Sequence, residues 1–158
     1  MTADVSLRLA VPSDAESIAS MSRQEIEHGL RWSWIPHRVA RAIRDPETNV
    51  IVAVASGALV GFGIMSYRSE DAHLLLFAVS ARHRRQGIGS ALLAWLEATA
   101  IAAGSKRILV EARWDNVAGR SFYNQLGYHE MAVCEAMYSG RVDGVRLEKW
   151  LWSGHGPR

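Results

Sequence analysis

The chain has 158 residues, one domain's worth, and its 49% hydrophobic and 22% charged content is globular and excludes wholesale disorder. Net charge is only +2, although arginine supplies all but two (Lys106 and Lys149) of the 18 cations, so the broad basic surplus of a nucleic-acid binder is missing. Apolar runs such as Leu74 to Val79 are far short of a membrane span, no leader pattern opens the chain, and the single cysteine, Cys134, excludes an internal disulfide framework, so a cytoplasmic protein with neither membrane nor nucleic acid as partner is expected.

Val5, Leu7 and Leu9 alternate with Ser6 and Arg8, the pattern of a half-buried strand. Pro12, Ser13 and Asp14 open a helix whose inward positions Ala15, Ile18, Ala19, Ser22 and Ile26 keep a 3.6 period up to a stop at Gly29. Arg31 to Trp34 is irregular, and Pro36 suits the first turn of a second helix ending near Arg44. Asn49 to Ala55 and Ala58 to Tyr67 are β-rich, with Ser56-Gly57 as the hairpin turn between them. Ala72 to Val79 is apolar on both faces, as in a central strand. Gly87 to Ala103 reads as a helix with Ile88, Leu92, Leu96 and Ala100 in a buried stripe and Gly104 as its end. A strand over Arg107 to Ala112 follows, then a short helix capped by Asp115 or Asn116, carrying Ala118, Phe122 and Leu126 and ending at Gly127. Tyr128 to Ala136 and Val145 to Trp152 are two closing strands, and Ser153 to Arg158 a polar tail, so that 1–152 form a single domain. The order β-α-α-β-β-β-α-β-α-β-β is mixed and argues against a Rossmann repeat.

Chemistry concentrates where the central strand gives way to the long helix. Arg82, His83, Arg84 and Arg85 lead directly into Gly87 and Gly89. A helix start offers unpaired N–H groups and the positive end of the dipole, glycines let an anion approach the backbone, and arginines add charge; a pyrophosphate fits such a place. No Gly-Lys pair exists, which removes a Walker A loop, and Leu92 stands where a dinucleotide fingerprint needs a third glycine.

Arg84-x-x-Gly87-x-Gly89 after an apolar strand resembles the acyl-coenzyme-A loop of the GNAT N-acetyltransferase superfamily, R/Q-x-x-G-x-G/A. Asn116-x-x-Gly119-x-x-x-Tyr123-x-x-x-Gly127-Tyr128 resembles its second signature, N-x-x-A-x-x-x-Y-x-x-x-G-F. The two occur in the family's order, and the resemblance runs from about Arg8 to Leu151. Ala81, Gly119 and Tyr128 depart from the family's usual proline, alanine and phenylalanine, and Gly119 is expected to loosen its helix by up to ~1 kcal/mol.

The resemblance implies a mixed α/β fold, with a central and mostly antiparallel sheet flanked by helices. It implies transfer of an acetyl group from acetyl-coenzyme A, a cosubstrate, to a primary amine by direct attack. The implied cofactor contacts are Phe77, Ala78 and Val79; Arg84, Arg85, Gln86, Gly87, Ile88, Gly89 and Ser90; and Asn116 and Tyr123. Val79 would offer its backbone to the pantetheine arm, with its N–H near the thioester oxygen, and Asn116 would touch the same arm or simply cap its helix. Tyr123 matches the family's general acid, against a plain packing role beside Phe122 and Leu126. Leu109 to Asn116 resembles the corresponding stretch of the bacterial ribosomal-protein alanine N-acetyltransferases, which makes Glu111 the base. Between apolar neighbours its pKa would be raised; the bland alternative is an exposed Glu111 paired with Arg113. His73, Glu70, Glu25 and Glu27 are the other candidate bases.

The histidines show no metal-ligand spacing, so no metal is expected. A non-catalytic acyl-coenzyme-A sensor on the same fold is the rival reading; it needs neither Tyr123 nor Glu111. By resemblance the acceptor site would use Glu25, Glu27, His28, Trp32, Trp34 and the Tyr138 to Val145 turn, acidic and aromatic groups that suit a cationic amine. Trp32 and Trp34 fit a core or a homodimer surface equally well. Ser139 to Glu148 resembles small-molecule and amino-acid acetyltransferases, whereas the Glu111 stretch points to protein N-termini, and both acceptors stay open.

Overall fold

The computed structural model describes residues 4–151. Its elements follow the expected order: β1 (Val5–Leu9), α1 (Ala15–Glu25), α2 (Pro36–Arg44), β2 (Thr48–Ala55), β3 (Ala58–Ser66), β4 (Asp71–Val79), α3 (Ile88–Ala102), β5 (Arg107–Arg113), α4 (Val117–Gln125), β6 (His129–Tyr138) and β7 (Val142–Trp150). The strands form one seven-stranded sheet, β1-β2-β3-β4-β5-β7-β6. Only β4 and β5 are parallel neighbours, because α3 carries the chain back over the sheet between them. The mixed, mostly antiparallel sheet flanked by helices is the expected fold class. Trp152 and the Ser153 to Arg158 tail lie outside the described residues.

Each sheet face buries its own apolar layer. Ile88, Leu92, Leu93, Leu96 and Ala100 of α3 pack with Ile51, Ala53, Ala72, Leu74, Ile108 and Val110. Ala15, Ile18 and Ala19 of α1 and Val39 of α2 cover Val50, Val52, Phe62, Ile64, Leu76 and Ala78 on the other side. The Ser56-Gly57 turn has φ of 49° and 78°, so both central residues are left-handed, as a two-residue hairpin requires.

Several boundaries differ from the sequence reading by a few residues, and the ends of α1 and β6 and the start of β7 do so for local reasons. Helix α1 stops at Glu25, four residues before Gly29. Past that point the Glu27 carboxylate is buried, accepting from Ser22 Oγ at 2.9 Å, Ser33 N at 2.7 Å and Ser33 Oγ at 2.6 Å. These bonds wrap the chain into a loop around one acid rather than another helical turn. Strand β7 starts at Val142 and β6 reaches Tyr138, because the pairing slips between Cys134 and Tyr138; Asp143 Oδ1 accepts from the Ala136 N–H at 2.8 Å inside that irregularity.

One further irregularity positions the site. Ile64 pairs with Leu76 and Met65 with Leu74, so Leu75 is an extra residue in β4. A bulge bends its strand and, since strands alternate faces with period two, reverses the facing of everything after it. Ala72 and Leu74 accordingly pack under α3, while Leu76 and Ala78 pack under α1 and α2. The β4–β5 ladder ends at the same place, at Leu74 and Val110.

Candidate active site

Beyond that last pair, β4 stays with β3 and β5 stays with β7, through Glu111–Arg146, Ala112–Val145 and Arg113–Gly144. The two parallel strands diverge and open a groove of about 910 Å³, which Phe77, Ala78, Val79, Glu111, Tyr123 and Asn116 all help to line. Val110 and Ala112 point into the layer under α3, so Glu111 and Arg113 face the α1 side. Tyr123 belongs to the layer under α3. The opening therefore passes between the two faces of the sheet, with the candidate base on one face and the candidate acid on the other.

The start of α3 closes one end. Gly87 is its N-cap at φ 81° and ψ 4°, a left-handed conformation that glycine adopts without a Cβ penalty. No side chain caps this helix, and its first internal bond runs from the Ala91 N–H to the Gly87 carbonyl at 3.0 Å. The amides of Ile88, Gly89 and Ser90 are thus left without helical partners, as anion binding requires. Gly89 also packs closely: a Cβ there would sit 3.3 Å from the Phe122 ring. Ile88 contributes only backbone, since its side chain is fully buried in the core, and Gln86 does not line the groove. Arg84 is not a free anion ligand. Its Nε donates to the Val79 carbonyl at 3.2 Å and its Nη2 is ion-paired with Glu25 of α1. Of the Val79 backbone groups expected to serve the pantetheine arm, the carbonyl is thereby engaged by Arg84, while Arg85, exposed at φ 62°, lines the groove.

Asn116 caps α4, its Oδ1 accepting from the Gly119 N–H at 3.0 Å. The glycine at 119 has a reason: a Cβ there would lie 2.3 Å from Asn116 Nδ2. Tyr123 is buried beside Phe77, Phe122 and Tyr128, with ring centroids 6.3, 5.4 and 5.6 Å away. Burial, and to a lesser degree Tyr138, pushes its phenol well above the ordinary tyrosine value, so it stays protonated and able to donate. The hydroxyl that Tyr128 adds donates to Glu97 of α3 at 2.7 Å, and Glu97 in turn holds Lys149 of β7 at 3.1 Å.

Glu111 is not in the apolar enclosure expected of it. Its side chain is 31% exposed and meets Arg146, its cross-strand neighbour, at 3.5 Å. Nor does it pair with Arg113, whose guanidinium is buried and directed elsewhere: to Asp115 at 3.0 and 3.1 Å, and to the carbonyls of Ile26 and His28 at 3.1 and 2.8 Å. The hydrogen bonds from Arg113 hold the Asp115 carboxyl below its ordinary value. Arg113 ties the loop after α1 to the end of β5, joining two walls of the groove, a role that spacing along the sequence did not signal.

Of the other candidate bases, Glu70 pairs with Lys106 at the far end of the sheet, and His73 lies on the paired part of β4 against Ser66 and Leu109. Neither lines the groove. Glu25 and Glu27 do, but the first is bound to Arg84 and the second holds the loop together. Trp34 and Tyr138 line the acceptor side, and burial and then Glu111 push the Tyr138 phenol up to about 12. Trp32 packs on the α1–α2 core, donating from Nε1 to the Ala19 carbonyl at 3.2 Å. No cluster of metal-ligating side chains occurs among the described residues.

Residues 14–128 match the model of the acetyltransferase (GNAT) family. An uncharacterized N-acetyltransferase of Methanocaldococcus jannaschii is 32% identical over 107 residues, 67% of this chain and 69% of that protein. The [ribosomal protein bS18]-alanine N-acetyltransferase of Escherichia coli K12 is 30% identical over 93 residues, 57% of this chain and 63% of that enzyme, less than two thirds of its length. The solved structure of Ard1 from Thermoplasma volcanium superimposes with a TM-score of 0.85 at 24% identity, covering 95% of this chain and 99% of that one.

Proposed function

The chain belongs to the acetyltransferase (GNAT) family of acetyl-coenzyme-A-dependent N-acyltransferases, and on that premise we propose that its acceptor is the free α-amino group at the N-terminus of a polypeptide. The observation that carries amine acetylation is the placement of Glu111 and Tyr123 on opposite faces of the sheet at one opening. An amine entering from the α1 side meets the carboxylate first, and the uncapped start of α3 stands at the end of the same groove. The similarity to a ribosomal-protein alanine N-acetyltransferase supports a polypeptide rather than a small molecule as the acceptor.

Acetyl-coenzyme A, when bound, supplies the acetyl group as a thioester. The amides of Ile88, Gly89 and Ser90 fit its pyrophosphate, with Arg85 adding charge. Glu111, oriented by Arg146, takes the proton of the incoming ammonium group, directly or through one water. Tyr123, protonated by virtue of its burial, donates to the departing sulfur. Phe77 and Phe122, stacked with centroids 5.7 Å apart, keep water from that side of the groove. A sensor that only binds acyl-coenzyme A has no use for a carboxylate and a phenol converging on one opening.

Thiol release from acetyl-coenzyme A, assayed with free-N-terminus peptides, their N-blocked counterparts and simple amines, tests the acceptor. Turnover with the free peptides alone is expected, and turnover confined to simple amines overturns the reading. Glu111→Gln is expected to lower kcat by ~10²–10⁴-fold while acetyl-coenzyme-A affinity survives; undiminished kcat moves the base to another group.

A further inference from the structure

Seven arginines each have a carboxylate partner: Arg8, Arg68, Arg84, Arg107, Arg113, Arg120 and Arg146. The α1–α2 layer is built differently. Arg23, Arg31, Arg38, Arg41 and Arg44 are all exposed, and among the described residues none has an acidic partner. The acids nearest them in sequence are turned away: Glu25 to Arg84, Glu27 into its loop, and Asp45 to Arg68. Two of these arginines are held in place by aromatic faces, Arg23 over Trp32 at 4.9 Å and Arg38 over Trp34 at 3.8 Å. Stacking orders the guanidinium plane and leaves its edge donors free for a carboxylate.

The row has a direction. Trp34 lines the groove, so Arg38 stands at its acceptor-side mouth. Arg41 and Arg44 follow at three-residue steps along α2, a rise of about 9 Å from Arg38 to Arg44. An extended peptide advances about 3.3 Å per residue, so a chain that has its amine in the groove and leaves it over α2 would bring its next few residues within reach of these three side chains, which step round the outer side of the helix.

We propose that Arg38, Arg41 and Arg44 form a docking track for an acidic segment lying a few residues behind the acceptor amine, which makes the preferred substrate an acidic-tailed N-terminus. The proposal rests on the polypeptide-acceptor reading. A peptide fits better than a nucleic acid because the track is short, begins at an amine site, and belongs to a molecule of net charge only +2.

The test uses the full chain and three peptides that share their first two residues and carry Asp/Glu, Asn/Gln or Lys at positions 3–7. The acidic peptide is expected to show a kcat/KM about tenfold above the neutral one at low salt, carried by KM and collapsing in 0.5 M NaCl, because exposed ion pairs are individually small and screened. The R41Q/R44Q variant should lose most of this preference and keep its rate on the neutral peptide. Equal kcat/KM for acidic and neutral peptides, or a preference undiminished in the variant, overturns the proposal. Fluorescence anisotropy with labelled, N-acetylated forms of the same peptides keeps the two readings apart. Salt-sensitive binding of the acidic form that the variant loses supports the track even if no peptide is acetylated. Absent binding overturns it, as does tighter binding of a single-stranded oligonucleotide than of the acidic peptide.

Discussion

A buried phenol and a capped glycine show how single residues act at this groove. Tyr123 packs between Phe122 and Tyr128, so Tyr123→Phe preserves the ring contacts and removes only the donor. Fold and acetyl-coenzyme-A affinity should survive while kcat falls by ~10²–10⁴-fold, the usual worth of a general acid. Steady-state turnover beside calorimetric affinity checks this, and full turnover reduces Tyr123 to packing. Gly119 behaves unlike an ordinary helical glycine. Replacing glycine by alanine in a helix normally gains about 1 kcal/mol. Here the new Cβ would lie 2.3 Å from Asn116 Nδ2, displacing a cap worth about as much. Gly119→Ala should therefore leave Tm unimproved, and a rise of several degrees would mean that the cap survives.

Between elements, the departure from phenylalanine at Tyr128 has a structural use. Its hydroxyl joins the start of β6 to Glu97 of α3, and Lys149 brings in β7. Tyr128→Phe removes one charge-assisted bond but leaves Glu97 with Lys149, so no buried acid is stranded. A loss of about 1.5–3 kcal/mol is expected, read as a lower urea midpoint at unchanged m-value. The bulge at Leu75 works at the same scale. It ends the β4–β5 ladder and turns Phe77 and Val79 toward the side of α3 and α4. Without it the parallel pair would continue and the groove would close.

For the molecule as a whole, the buried phenols of Tyr123 and Tyr128 and the half-buried phenol of Tyr138 set the alkaline limit of stability. Tyr123, Tyr128 and Tyr138 are all shifted upward, chiefly by burial. In the unfolded chain each loses its proton near pH 10, whereas in the folded protein Tyr138 holds it to about 12 and the other two hold it further. Above pH ~10 the folded state binds more protons than the unfolded one, so stability must fall as pH rises, by about 1.4 kcal/mol per pH unit for each phenol so held. Urea midpoints at pH 9, 10, 11 and 12 should show this decline, with a shallower slope in Tyr128→Phe. A flat profile would mean that these phenols ionise freely in the folded protein.

Local chemistry made much of this protein legible from its residues alone. Alternation located β1, β-rich and apolar runs located β2 to β4, the four-residue spacing of Ile88, Leu92, Leu96 and Ala100 located α3, and the glycines and Asn116 located the two signatures around the groove. These features depend on neighbours a few positions apart, and the chain carries them explicitly. What it does not carry is which distant groups meet. Arg84 turned out to be bound to Glu25, Glu111 to Arg146, and Arg113 to a loop some 85 residues earlier. His73 and Glu70 left the candidate bases because the end of the sheet that holds them is not the end that opens. An extra residue at Leu75 changes no local periodicity strongly enough to be read, yet it reverses a strand's facing and parts two strands. Partner choice and facing are settled by the packing of whole layers, and only the tertiary structure contains that information.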